Sequence, residues 1–151
     1  MEKIGDDYHV AAGMVVTVII QIFGSHHYIF GVYVLLNILD WLTGWYKAAK
    51  KREVSSKAGL KGIVKKVGCW IIILVAFLIP YVFITLGNEL LSLDLSFLST
   101  IGWFTLANLI VNEVRSILEN LIACGYKVPK VLKKGLAITE KMMEEKEYED
   151  K

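Results

Sequence analysis

A chain of 151 residues that is 55% hydrophobic and 21% charged, with a mean hydropathy of +0.50, is long enough for one domain but too apolar for an ordinary soluble one. The net charge of +2 conceals a segregation, because charges gather in Met1–Asp7, in a central lysine cluster and after Gly125, while the runs between are almost bare. That distribution indicates an integral membrane protein rather than a soluble domain, and basic residues set beside spans suit lipid headgroups better than nucleic acid.

The N-terminal MEKIGDD is acidic and the run behind it has no persuasive small-residue cleavage site, so no cleaved signal peptide is expected. Val10–Phe23 is shorter than the roughly 20 residues that cross a hydrocarbon core as helix. It spans only by recruiting its flanks; as an interfacial or re-entrant segment it would leave three crossings instead of four. Gly24-Ser25-His26-His27 reads as a short external turn. Adjacent histidines point to different sides of most backbones, so a polar turn filler is favoured over a metal site or a pH sensor.

Tyr28–Tyr46 has spanning length, with Trp41, Trp45 and Tyr46 gathered at one end as an interfacial belt. Asn37, Asp40, Gly44 and Lys47 recur at intervals of three and four and share one helix face, which should meet protein rather than lipid. Beyond it, Ala48–Ser56 reads as a basic turn. Lys57–Val67 reads as an amphipathic helix on the inner leaflet, with Ser55 and Ser56 as candidate N-caps. Lys47, Lys50, Lys51, Arg52, Lys57, Lys61, Lys65 and Lys66 are the expected contacts to anionic lipid, each worth about 1 kcal/mol of attraction.

Cys69–Gly87 is free of charge and is the clearest span, with a kink expected at Pro80. Cys69 and Cys124 lack a CxxC arrangement or a histidine at ligand spacing, so neither a disulfide nor a zinc site is indicated. Asn88–Ser99 carries Glu89 and Asp94 but no lysine or arginine, which places it outside. The last run starts near Phe97, and its helix can continue past Val111. Asn108, Asn112, Arg115, Ser116 and Glu119 then fall on one side, opposite Ile110, Val114, Ile117, Leu118 and Leu121. Gly125 is the expected C-cap, and Pro129 is expected to prevent the helix from restarting. Lys127, Lys130, Lys133 and Lys134 form a second basic set, followed by the acidic TEKMMEEKEYEDK, which reads as a mobile tail.

These charges fit an all-α membrane protein with four transmembrane helices, at about 10–24, 28–46, 69–87 and 97–112, the last extending to 124. An amphipathic cytoplasmic helix lies between the second and third. Both termini are inside, residues 1–124 form the membrane domain, and 125–151 form a charged cytoplasmic tail.

Two stretches then carry a family likeness. Asp40, Thr43, Gly44, Lys47, Ser55, Ser56, Lys57, Gly59, Lys61 and Gly62 are similar to a D-x-x-T-G…SSK-x-G-x-KG pattern. Asn112, Glu113, Ser116, Leu118, Glu119, Asn120, Gly125, Val128 and Pro129 are similar to an NE-x-x-S-x-LEN…G-x-x-(I/V)P signature. Both resemble the phage lysis and toxin-secretion holins, including those encoded beside clostridial toxins. The likeness runs from the second span to the start of the tail. It implies a homo-oligomer that permeabilises the bacterial cytoplasmic membrane, releasing a wall hydrolase or assisting export of a large toxin, with an antiholin as a further partner and without cofactor.

Asn37, Asp40, Thr43, Gly44, Asn108, Asn112, Glu113, Arg115, Ser116, Glu119 and Asn120 are the candidates for helix packing or gating. Asp40, the one carboxylate within a span, is either a proton or ion site or a structural charge. In the second case it lies near enough to the inner interface to pair with a lysine, Lys47 being about 10 Å along the helix at 1.5 Å per residue. The stripe around Asn112, Arg115 and Glu119 either lines an aqueous pore or belongs to a cytoplasmic extension with a weak Arg115–Glu119 pair. A small ion-coupled transporter or channel subunit using Asp40, or an antiholin regulator, are the alternative functions. An enzyme is the weakest, because no nucleophile, base and orienting group come together, and GLKGIVKK lacks the spacing of a phosphate-binding loop.

Overall fold

A computed structural model describes residues 2–149, with side chains from His9 onward except those of residues 58, 140 and 142–149. Five α-helices account for nearly all of it: α1 Glu2–Phe23, α2 His27–Lys51, α3 Ser56–Leu86, α4 Ser99–Ala123 and α5 Lys130–Glu149. Residues 1–32 and residues 33–151 form two compact units.

In the first unit, α1 is followed by a 3₁₀ turn over Gly24–His26, which opens with Gly24 at φ +56°. Phe23 is buried there and stacks on Phe30, with ring centroids 4.6 Å apart. The Gly24 carbonyl lies 3.0 Å from His27 Nδ1, and Ser25 Oγ lies 3.3 Å from His26 Nδ1, so both histidines are engaged within the turn.

By length and composition three helical stretches are apolar enough to cross a membrane: His9–Lys51, Gly59–Leu91 and Ser96–Ala123. The first contains both runs that the sequence suggests as separate spans. Their apolar side chains are overwhelmingly exposed, and Phe23, Tyr33, Ile73, Leu106 and Cys124 are the buried hydrophobic core among the described residues. An apolar exterior of this extent suits hydrocarbon, where exposed leucine, isoleucine and valine carry no cost.

The second unit departs from the sequence-based expectation in three places. First, Lys57–Val67 is not a separate leaflet-bound helix but the opening turns of α3, which runs unbroken to Leu86 with Pro80 inside it. A lone Gly68 costs about 1 kcal/mol relative to alanine, too little to end a helix that a long apolar run then sustains. Ser55 does take the N-cap position, with extended φ and ψ, although its side chain makes no capping bond.

Second, the basic turn is shorter than expected, since α2 continues to Lys51. It closes with Arg52 N–H donating to the Ala49 carbonyl and Glu53 N–H to the Ala48 carbonyl, at 3.1 and 3.0 Å. This is a Schellman motif with Arg52 in the left-handed position, at φ +57°. The α4 terminus repeats the motif with glycine, which enters the left-handed region without steric cost. Gly125 stands there at φ +89°, its N–H bonded to Ile122 O and that of Tyr126 to Leu121 O.

Third, Pro129 does not prevent a restart. Its carbonyl accepts from Leu132 and Lys133, and α5 begins at the next residue. Proline lacks only an N–H that the first turn of a helix leaves unused, so its place favours a helix start.

Between α3 and α4 the chain turns through a five-residue π segment, Gly87–Leu91, and a 3₁₀ turn, Ser96–Leu98. Asp94 accepts the Ser96 amide at 2.9 Å. The Ser96 hydroxyl and then its amide hold this exposed carboxyl below the usual carboxylate range. The two helices meet closely at Gly102, where an added Cβ would lie 2.8 Å from the Phe77 ring. Phe77 in turn meets Trp103 edge-on at 5.0 Å, with Ile73 and Leu106 buried nearby in sequence.

Candidate functional site

At the other end of α3 the contacts between helices are polar. The Lys66 ammonium lies 2.9 Å from Asp40 Oδ2 on α2 and 2.5 Å from Glu113 Oε2 on α4, so one cation joins three helices. The three side chains retain 21%, 17% and 12% exposure respectively, intermediate between surface pairs and fully desolvated ones.

Asn120 completes the cluster. Its Oδ1 accepts from Lys47 Nζ at 2.7 Å, while its Nδ2 donates to Asp40 Oδ1 at 3.2 Å and to Thr43 Oγ1 at 3.4 Å. Lysine can only donate and a carboxylate can only accept, so these partners dictate the orientation of the amide. Thr43 sends its own hydroxyl proton back to the Leu39 or Asp40 carbonyl. Gly44 faces Asn120, whose Nδ2 would make an ordinary 3.6 Å contact with an added Cβ. One turn further, Lys50 Nζ donates to the Cys124 carbonyl at 2.6 Å, placing a cation against the negative end of α4.

Helix geometry explains why these residues meet. Asp40, Gly44 and Lys47 stand on one face of α2, and Glu113 and Asn120, two turns apart on α4, face it and α3. Asn37, from the same α2 face, is buried and donates to the Tyr33 carbonyl at 2.9 Å. Two clefts of about 280 and 430 Å³ flank the Asp40–Lys66 pair, and both are lined by Asp40, Gly62, Lys66 and Ser116.

Of the other candidates, Asn112, Arg115 and Glu119 line the larger cleft beside this cluster. All three are exposed, the latter two forming a pair at 3.1 Å, while Asn108 is half-buried. The structure therefore turns Glu113 and Asn120 inward, whereas part of the expected stripe faces out. Of the eight basic residues expected at lipid, Lys50, Lys51, Arg52, Lys57, Lys61 and Lys65 are exposed. Lys47 and Lys66, and the exposed Lys50 as well, give their ammonium groups to protein acceptors. A signal for Lys66 was present in the sequence: at about 100° per residue it lies well off the helix face shared by Lys57, Lys61 and Lys65. Asp40 is paired with a lysine, but with Lys66 across the helix interface rather than with Lys47 on its own helix.

Comparison with known proteins bears on what such an arrangement does. Residues 17–141 match the model of the bacteriophage holin family. The chain belongs to that family. This holin-family member is 31% identical over 129 residues to a protein of Bacillus phage phi105 named "probable holin", covering 85% of this chain and 86% of that one. It is also 31% identical over 140 residues to the holin-like protein TcdE of Clostridioides difficile, covering 87% and 81%. An uncharacterized protein of Listeria monocytogenes is 34% identical over 131 residues, covering 86% and 85%. No solved structure matches.

Proposed function

We propose that this holin-family member assembles with copies of itself in the bacterial cytoplasmic membrane and opens a lesion there. The lesion releases a wall hydrolase or lets a large toxin leave the cell. The family match across residues 17–141 carries this reading. It acts without chemistry or cofactor, through assembly followed by loss of the permeability barrier. Four crossings with both termini inside satisfy the charge distribution, because lysines then gather in the central turn and the tail while the outer turns carry none. Anionic lipid at the exposed lysines and an antiholin are the further partners of this reading.

The pairing of Asp40 with Lys66 favours a structural charge over a titrating transport site. Induced expression in bacteria should collapse the membrane potential and, with a cytoplasmic endolysin present, lyse the culture. Unchanged potential and growth at confirmed membrane levels would sink the proposal.

A further inference from the structure

A water-filled lesion needs polar side chains on its lumen, because the bilayer supplies no partner for them. In this structure the polar groups that join α2, α3 and α4 at their basic end point the other way. Asp40, Lys66, Glu113, Asn120 and Lys47 satisfy one another between helices, and the surface of the spans is apolar apart from Asn112 and the Arg115–Glu119 pair on α4 and the lysines that open α3. A chain so arranged can sit in a membrane without opening it.

We propose that Lys66 is a clasp that holds each protomer in a closed form, and that its release is the step that commits an assembly to opening. The inference rests on the lesion-forming reading above. Three observations carry it. Among the described residues, Lys66 is the one side chain bonded to carboxylates of both α2 and α4, so its release frees both contacts at once. Its cation faces two carboxylates, so the clasp is not charge-balanced within itself. Clefts lie on both sides of the pair, so the three helices are not packed solid around it. The charged groups around the clasp are Asp40 and, through Asn120, Lys47 from α2; Glu53 from the turn after α2; Lys65 from α3; and Glu113, Arg115 and Glu119 from α4. Once Lys66 parts from Asp40 and Glu113, these carboxylates need another partner, and water or a neighbouring copy supplies it. The residues that close the protomer thereby become those that line the opening.

The test times the onset of depolarisation and of lysis, with membrane level measured for every variant. The wild-type chain is the control for the lesion-forming reading: if it neither depolarises nor lyses cells, that reading fails and the timing comparison does not arise. Given an active wild type, K66M should shift onset to earlier times, whereas K66R, which keeps the cation, should retain wild-type timing. Wild-type timing in K66M at equal membrane level overturns the clasp. If K66M fails to accumulate, an otherwise wild-type chain carrying S116C, with Cys69→Ala and Cys124→Ala, decides the matter. Ser116 is half-buried beside the clasp, so N-ethylmaleimide, which crosses the membrane before and after onset alike, should label it more slowly before onset than afterwards. Equal labelling before and after onset also overturns the clasp.

Discussion

The two ends of the α2–α4 unit are joined by opposite means. Near Phe77 and Gly102, α3 and α4 meet through shape: a ring pressed where a Cβ would stand, an edge-on aromatic neighbour and two buried aliphatic residues. Near Lys66 the helices meet through directed bonds among charges and amides, with clefts left alongside. In hydrocarbon the difference matters. Lipid tails are as apolar as leucine, so the apolar contact is held by close van der Waals fit alone and is sensitive to added bulk. The polar contact is held by the cost of leaving a charge without a partner, and it can be exchanged wherever another partner is offered. The first kind of contact makes a fixed pivot, the second a releasable one.

Substitutions at the two ends should separate these modes. Gly102→Val is expected to act most strongly, destabilising the protein by about 3 kcal/mol, because its Cβ alone would stand 2.8 Å from the Phe77 ring before any further methyl is placed. Thermal unfolding in detergent, followed by tryptophan fluorescence, measures this; an unchanged midpoint would show that the pivot has slack. Asn120→Ala removes the amide that ties Lys47 to Asp40, and a loss of about 1.5 kcal/mol is expected, since hydrogen bonds to charged groups contribute that order of energy. The same unfolding assay reads it, and a loss matching that of Gly102→Val would erase the distinction between the ends. Arg115→Ala should cost at most about 0.5 kcal/mol, because its partner Glu119 is exposed at the i+4 position. A larger loss would move that pair from the surface into the polar contact.

Much of this was legible along the chain. Apolar run lengths mark α3 and α4, Gly125 marks the α4 terminus, and the three-and-four spacing of Asn37, Asp40, Gly44 and Lys47 marks one face of α2. The family likeness, too, was carried by residues that the structure brings together, with Asp40 and Thr43 from one motif meeting Asn120 from the other. What misled were local rules applied without their context. Pro129 starts a helix because its missing N–H is not needed there, and the amphipathic pattern of Lys57–Val67, read as a helix of its own, runs on into the apolar stretch beyond it as α3.

By itself, then, the sequence determined that this is a helical membrane protein, where its principal spans lie and which family it resembles, because hydropathy, capping and motif spacing are properties of neighbours along the chain. Only the tertiary structure decided which lysine answers Asp40. Several lysines lie near enough in sequence to qualify, and the choice among them depends on the helix phase of α3 and on the approach of α4, which brings Glu113 to the same ammonium. That meeting spans residues 40 to 113, and no local pattern encodes it.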